Sequence, residues 1–257
     1  MHDLDDARAQ LTTNRLARRL RRFWRTLPSA PRCKICTSPF GPPVGPILRF
    51  IGKGRWPGNP AYCSGCFRDL YTQRVGAEIE CTSFFADVRG STALAEKIGP
   101  TAFRTLLDRF YAVATHILVD HEAVVDKYVG DEVVGIFVPA MAGADHARRA
   151  IDAGLALLRE TGNGDGIPWI PIGIGVNTGI AFVGAVGTAE HVEFTALGDA
   201  VNVSARLATE AGAGELLLTA ATASAAGVEV TGLEPRRLAL RGKSEAIDVV
   251  VLHSRTG

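Results

Sequence analysis

From Gly166 to Ala189 the chain runs 24 positions without a charged side chain. Such a stretch has to leave water, so it either crosses a membrane or fills the centre of a core. It also holds two prolines and six glycines, a poor composition for a helix that must bond every backbone group within itself. The pattern therefore predicts buried β-structure, with a hairpin turn at Asn177-Thr178-Gly179. A chain of 257 residues leaves room for one large domain or for one domain and a small module. With 47% hydrophobic and 21% charged residues, a disordered, collagen-like or disulfide-scaffold chain is excluded.

Charge divides the chain. Residues 1–80 carry 14 Lys and Arg against 6 Asp and Glu, and residues 81–257 carry 14 against 21, which predicts two units with different roles. Residues 11–27 have a helical pattern. Leu16, Leu20, Phe23 and Leu27 fall on one face, with Arg15, Arg18, Arg19, Arg21, Arg22 and Arg25 around it. A basic amphipathic helix can lie on an anionic membrane surface or pack against protein. Docking of its apolar stripe on the same chain or a second copy is the simpler expectation. The opening residues are acidic and carry no apolar leader, so a cytoplasmic location is expected.

Four of the five cysteines form Cys33-x-x-Cys36 and Cys63-x-x-Cys66. Two such knuckles can bring four thiolates to one tetrahedral ion, with Zn²⁺ the usual occupant. Cys₄ sites also hold iron–sulfur clusters or act in redox sensing. The gap between the knuckles is rich in Pro and Gly and reads as loop. It has too few apolar residues to order itself, so a metal staple is expected. Cys81 stands alone and reads as a small buried apolar residue. The N-terminal part thus divides into a basic helix over 1–30 and a Cys₄ module over 31–75. A basic segment with a metal knuckle can bind nucleic acid, but no recognition helix or repeated finger is present, which argues against that partner.

From about Glu80 strands and helices are mixed. Glu80–Ala86, Val124–Val129, Val133–Val138, Glu215–Leu218 and Ile247–Leu252 read as strands, and Thr92–Ile98, Ala102–His121, Ala144–Glu160 and Ala200–Ala211 as helices. That order predicts an α+β architecture, with helices packed on a mostly antiparallel sheet. Asp87 falls where a strand ends before a loop and a helix start, and the free N–H groups of such a turn suit phosphate oxygens. Asp131 falls in a tight turn between two apolar strands. Alone, Asp87 reads more often as a helix cap, and Asp131 reads as an ordinary hairpin turn. Together they are what two-metal phosphoryl chemistry needs, with Mg²⁺ or Mn²⁺ as the hard ions. Asn202 and Arg206, four apart, share a helix face.

Three segments carry a family likeness: Phe85-Ala86-Asp87-Val88-Arg89-Gly90-Ser91-Thr92, Lys127-Tyr128-Val129-Gly130-Asp131-Glu132, and Thr195 to Arg206 with Leu197-Gly198-Asp199 and Asn202 between. In order and spacing they resemble the class III nucleotidyl cyclases, the adenylyl and guanylyl cyclase family, over about residues 79–253. The resemblance implies a ferredoxin-like-derived cyclase fold preceded by the metal-stapled module. It implies that Asp87 and Asp131 hold two Mg²⁺ or Mn²⁺ ions, that Lys127 and Thr195 read the purine, that Asn202 orients the ribose, and that Arg206 stabilises charge on the phosphate. Leu240-Arg241-Gly242-Lys243 resembles the family's basic phosphate-contact strand, with Arg241 where a lysine is usual and Lys243 able to share the task.

A lysine can donate to the ring nitrogen of adenine, and a threonine oxygen can accept from its exocyclic amine. Guanine presents a carbonyl and a ring N–H at those places. The Lys127/Thr195 pair therefore resembles the Thr-bearing bacterial adenylyl branch. The Gly130-Asp131-Glu132 turn is also similar to that of diguanylate cyclases, a related fold, while the Asn202/Arg206 helix and the Asp87 loop match the nucleotidyl cyclases. The implied activity is conversion of ATP to 3′,5′-cyclic AMP and pyrophosphate at a homodimer interface. One protomer would give the two aspartates and the other Lys127, Thr195, Asn202 and Arg206, with the N-terminal module regulating or bracing the dimer. A guanylyl cyclase and a catalytically silent ATP-binding or scaffold module remain as alternatives.

Overall fold

The computed structural model describes residues 2–28, 30–57, 59–73, 76–164, 167–188, 192–239 and 246–254. Its N-terminal elements are α1 (His2–Thr13), α2 (Arg15–Thr26), α3 (Gly45–Leu48), β1 (Arg55–Trp56), β2 (Asn59–Cys63) and α4 (Ser64–Gln73). Then follow β3 (Gly76–Val88), α5 (Ser91–Ile98), α6 (Pro100–Asp120), β4 (Val124–Val129), β5 (Glu132–Phe137), α7 (Pro139–Ala142), α8 (His146–Glu160), β6 (Ile172–Gly187) and β7 (Val192–Leu197). The chain closes with α9 (Asp199–Glu210), β8 (Glu215–Thr219), α10 (Ala220–Ala225), β9 (Glu234–Leu238) and β10 (Ile247–His253). Two compact units form. The first gathers Met1–Ile79, Val138–Gly143 and Phe182–Leu197, the second Glu80–Phe137, Ala144–Ala181 and Gly198–Gly257.

The sheet runs in the order β4-β5-β3-β6-β8-β10-β9, with β7 paired to β6. Pairing is antiparallel for β3–β5, β4–β5, β6–β7, β8–β10 and β9–β10, and parallel for β6–β8. The sheet is therefore mixed. Successive strand residues point to opposite faces, and the neighbours Phe84 and Phe85, like Leu216 and Leu217, are both buried. Both faces must then be covered. Helices α6 and α8 pack on one, and a Cβ at Gly154 of α8 would lie 2.3 Å from Leu216 Cδ1 and 3.4 Å from Phe84 Cε2. On the other, α9 sets Val203, Leu207 and Ala211 against Leu217, Val249 and Val251, and Ala208 against Phe85 and Val134. Each fully buried aliphatic side chain there contributes about 1.5–3 kcal/mol, so α9 is held firmly to its strands.

The turn expected at Asn177–Gly179 is absent, because Ile172–Gly187 is one strand. The polar residues that read as a turn are taken up sideways: Asn177 Nδ2 donates to the Ala200 carbonyl at 2.9 Å, and its Oδ1 accepts from Thr219 Oγ1 at 2.8 Å. Cys81 is buried, as expected, and burial pushes its thiol up to about 12. No described helix is long and apolar enough to cross a membrane.

In the first unit the helix expected over 11–27 divides at Asn14, whose side chain accepts from the Ala17 N–H at 2.9 Å and caps α2. Within the chain, α2 docks by Arg21 and leaves its apolar stripe exposed. Leu16, Leu20 and Phe23 are 67%, 45% and 54% exposed, whereas Arg21 is 2% exposed. The Arg21 guanidinium donates to the Ile35 carbonyl at 2.7 Å, and Thr37 Oγ1 donates back to the Arg21 carbonyl at 2.8 Å. A charge-assisted bond to the first cysteine loop thus sets the helix's rotation, in place of the apolar stripe. The Pro/Gly-rich stretch, expected as loop, carries the short elements α3, β1 and β2.

Candidate active site and metal centre

Strand register builds the carboxylate site. Asp87 lies opposite Glu132 where β3 pairs with β5. Asp131 is the residue before Glu132, and neighbouring strands are about 4.8 Å apart, so the two aspartates stand at adjoining strand ends. The turn closes through Gly130, whose φ of +61° suits glycine, which bears no Cβ to clash. The Gly130 carbonyl accepts from the Tyr111 hydroxyl, and Tyr111 stacks on Tyr128 with centroids 4.5 Å apart. The turn is thereby pinned to α6.

Asp87 forms an ion pair with Arg89. The same guanidinium donates to the carbonyls of Thr209 at 2.8 Å and Ala211 at 3.3 Å, at the negative end of the α9 dipole. Burial lowers the Arg89 pKa, against the charges of Asp131 and Glu132 that raise it. Glu132 is pushed up to about 7, first by burial and then by the charge on Asp131. Three carboxylates therefore share a half-buried place with one guanidinium. Carboxylate oxygens are the donor type a hard divalent cation such as Mg²⁺ or Mn²⁺ takes, but Asp87 is engaged by Arg89 and, among the described residues, only the cysteines bring three or more ligand atoms within 4.8 Å of one another.

Asn202 and Arg206 lie together on α9. Val203, Ser204, Leu207 and Ala208 form its buried side, while Asn202 is exposed. Ser204 Oγ and Ser83 Oγ, 2.6 Å apart, lock the helix to β3. Nη1 of Arg206 is buried with no hydrogen-bond partner among the described residues. An unsatisfied buried donor costs about 1–3 kcal/mol, a cost that an anionic ligand would relieve. Lys127, on β4, has an exposed side chain with Nζ 3.6 Å from Asp126 Oδ2. Thr195 belongs to the first unit, where it is buried on β7 opposite Gly184 of β6. Arg241 and Lys243 fall outside the described residues.

The ligand atoms of Cys33, Cys36, Cys63 and Cys66 all lie within 4.8 Å of one another. Tetrahedral Zn–S bonds of 2.3 Å place sulfurs about 3.8 Å apart, and Cys36 Sγ and Cys63 Sγ are 3.7 Å apart. The Cys63 N–H donates to Cys33 Sγ at 3.3 Å and the Cys66 N–H to Cys63 Sγ at 3.4 Å, so the backbone already favours thiolates. Hydrogen bonding from Cys33 lowers the Cys63 thiol to about 7. Lys53 stands close by; burial works to lower its pKa, and the charge of Cys36 and the other three thiols outweighs it. Four crowded sulfurs with a cation nearby and N–H donors fit a single thiophilic ion.

The structure thus unites Asp87 with Asp131, Asn202 with Arg206, and the four cysteines with one another. Sequence reasoning passed over Arg89, which binds Asp87 to the end of α9. The Asp-x-Arg spacing, which puts both side chains on one side of an extended chain, was the available signal. Tyr62, whose hydroxyl accepts from the Phe194 N–H at 3.1 Å, had none.

A family model described as the adenylate and guanylate cyclase catalytic domain matches residues 74–253. The chain is 32% identical over 179 residues to the terminal-differentiation specific adenylate cyclase of Dictyostelium discoideum, a match that covers 65% of this chain and 8% of that protein. It therefore spans less than a tenth of that relative's length. Among solved structures, the adenylyl cyclase CyaB from P. aeruginosa is 30% identical, with a TM-score of 0.60, over 70% of this chain and 97% of that one. The guanylyl cyclase Cya2 is 25% identical, with a TM-score of 0.62, over 68% of this chain and 92% of that one.

Proposed function

The chain belongs to the adenylate and guanylate cyclase catalytic-domain family, and on that footing we propose that it converts ATP to 3′,5′-cyclic AMP and pyrophosphate. The observation that carries this reading is the donor–acceptor division of the site. Carboxylates gather at the ends of β3 and β5, and a buried Arg206 Nη1 on α9 waits for an acceptor. In the reaction the ribose 3′-oxygen bonds to the α-phosphorus. The bond from that phosphorus to the β-phosphate's bridging oxygen breaks, and the hydroxyl proton is released. Asp87 and Asp131 would hold two Mg²⁺ or Mn²⁺ ions, whose chemistry when bound would be to neutralise charge on the triphosphate. Arg206 donates to the phosphate as charge builds there. Asn202, one turn earlier on α9, fixes the ribose so that the attacking oxygen is aligned. Lys127 and Thr195 select adenine over guanine by donating to its ring nitrogen and accepting from its amine.

The active assembly is a homodimer with shared sites. The sheet-facing side of α9 is spent on packing, and Asn202 stands on its exposed side, where a second copy can reach it. Cys33, Cys36, Cys63 and Cys66 hold one structural Zn²⁺; their close spacing suits a single ion better than a multi-iron cluster. Mixing Asp87→Ala chains with Arg206→Ala chains tests the shared site. Each alone turns over at no more than about 1% of the wild-type rate. In an equal mixture half the dimers are mixed and each regains one of two sites, so about a quarter of wild-type activity returns. No recovery on mixing would refute the shared site.

A further inference from the structure

Tyr62 occupies the position before the thiolate Cys63 and is 1% exposed. Both cysteine knuckles grip it. Its own chain neighbour Cys63 is tied to Cys33 Sγ. From the other knuckle, the Lys34 ammonium lies 5.8 Å from the centre of the Tyr62 ring, and the Lys34 N–H donates to the Ala61 carbonyl at 2.8 Å. Phe67, one residue past Cys66, packs against the Tyr62 ring at 6.4 Å and stacks on Trp56 at 5.1 Å. Few side chains outside the ligands themselves depend so directly on the four sulfurs staying together.

The far end of Tyr62 meets β7. Along Val192–Leu197 this strand pairs with β6 on one side, and alternate amides point to the other. The Phe194 N–H is one of these, and it donates to Tyr62 Oη at 3.1 Å in a buried setting. Helix α4, which carries Cys66, also packs on β7. The next residue along the strand is Thr195, 4% exposed. A shift of a few tenths of an ångström at Phe194 is passed to Thr195 through one peptide unit, which cannot stretch.

We propose that Tyr62 is a positioning residue that couples metal occupancy of the four cysteines to nucleotide choice at Thr195. This rests on the reading of Thr195 as the adenine partner. With the ion bound, Tyr62 holds the outer edge of β7 and fixes the height of the Thr195 hydroxyl. With the ion lost, the knuckles part, the hydroxyl leaves Phe194, and selection for adenine weakens. The N-terminal module thereby reports metal or thiol status as a change in substrate preference.

Tyr62→Phe in the full chain removes the hydroxyl and keeps the ring. Metal content, thermal midpoint, deuterium exchange at the Phe194 amide, and kcat and KM for ATP and GTP are measured on it beside the wild type and Thr195→Ala. The expected result is unchanged metal content and midpoint, faster exchange at Phe194, and a kcat within about two-fold. KM for ATP rises and the ATP-to-GTP preference falls by about five-fold, the worth of one hydrogen bond. Chelating the metal from the wild type lowers the preference similarly, and chelating it from Tyr62→Phe adds nothing. If Thr195→Ala alters the preference and Tyr62→Phe does not, the coupling is overturned while the Thr195 reading stands. If Thr195→Ala leaves the preference unchanged, the Thr195 reading fails and the coupling with it.

Discussion

Gly175 lies in the middle of β6 directly beneath α9, and its replacement by alanine is the sharpest probe of how the fold holds the site. A Cβ there would lie 2.2 Å from the Ser204 carbonyl oxygen, 2.3 Å from the Ala208 nitrogen and 2.9 Å from the Leu207 carbonyl carbon. All three are backbone atoms, so no rotamer change relieves the clash. To reach ordinary contact near 3.5 Å the helix must retreat by roughly 1 Å. Overpacking of this kind costs about 1–3 kcal/mol, and at about 2–4 °C per kcal/mol for a domain of this size the midpoint falls by on the order of 5 °C. The functional cost is larger. A displacement of about 1 Å at a positioning element lowers turnover by about 10²-fold, and α9 carries both Asn202 and Arg206. The assays are a thermal melt and steady-state turnover of Gly175→Ala. A variant that melts with the wild type and turns over at the wild-type rate would refute the claim that this close approach of strand and helix sets the site.

Arg206→Ala lowers kcat by about 10²–10³-fold, as loss of a transition-state donor does, with KM for ATP little changed; Arg206→Lys recovers little of it, because a point charge cannot replace the planar fork. Cys36→Ser removes one of the four thiolates proposed to hold the ion; structural Zn²⁺ sites are worth about 10–16 kcal/mol in binding, so metal affinity measured by competition with a chelator is expected to fall by about 10²-fold or more. His146 is buried, with Nδ1 2.8 Å from Thr82 Oγ1, and burial lowers its pKa against the charges of Glu80 and Asp145 that raise it. The unfolded chain therefore takes up this proton first. The stability the neutral ring contributes is fully present above about pH 6.5 and is lost as pH falls through the lower folded-state value. Urea midpoints of wild type and His146→Gln should diverge at neutral pH and converge toward pH 5.

The strands and helices of the second unit were largely legible because their periodicity is set by local burial. Val124–Val129, Glu215–Thr219 and Ile247–His253 fall almost where their apolar runs placed them. Asn177-Thr178-Gly179 misled, because a turn signal assumes that polar groups go to solvent or to their own backbone. Here Ala200 and Thr219, 23 and 42 positions away, take them, and no local window contains those partners. The rotation of α2 within the chain was not legible for a related reason: it is set by a single buried guanidinium reaching Ile35, a contact that the periodicity of the apolar stripe does not encode. At the site, the residue types Asp87, Asp131, Asn202 and Arg206 were readable from spacing and family likeness. The hold of Arg89 on α9, and of Tyr62 on β7, depends on chain segments more than a hundred residues apart.

Turnover of the full chain with ATP and with GTP, in Mg²⁺ and in Mn²⁺, beside Asp87→Asn tests the central claim most directly. The account predicts cyclic AMP from ATP, far less cyclic GMP from GTP, and loss of both in Asp87→Asn, which keeps the shape of the side chain and removes its charge. Dominant cyclic GMP would contradict the assignment of Lys127 and Thr195, and an Asp87→Asn chain as active as the wild type would contradict the metal-holding role on which the mechanism stands.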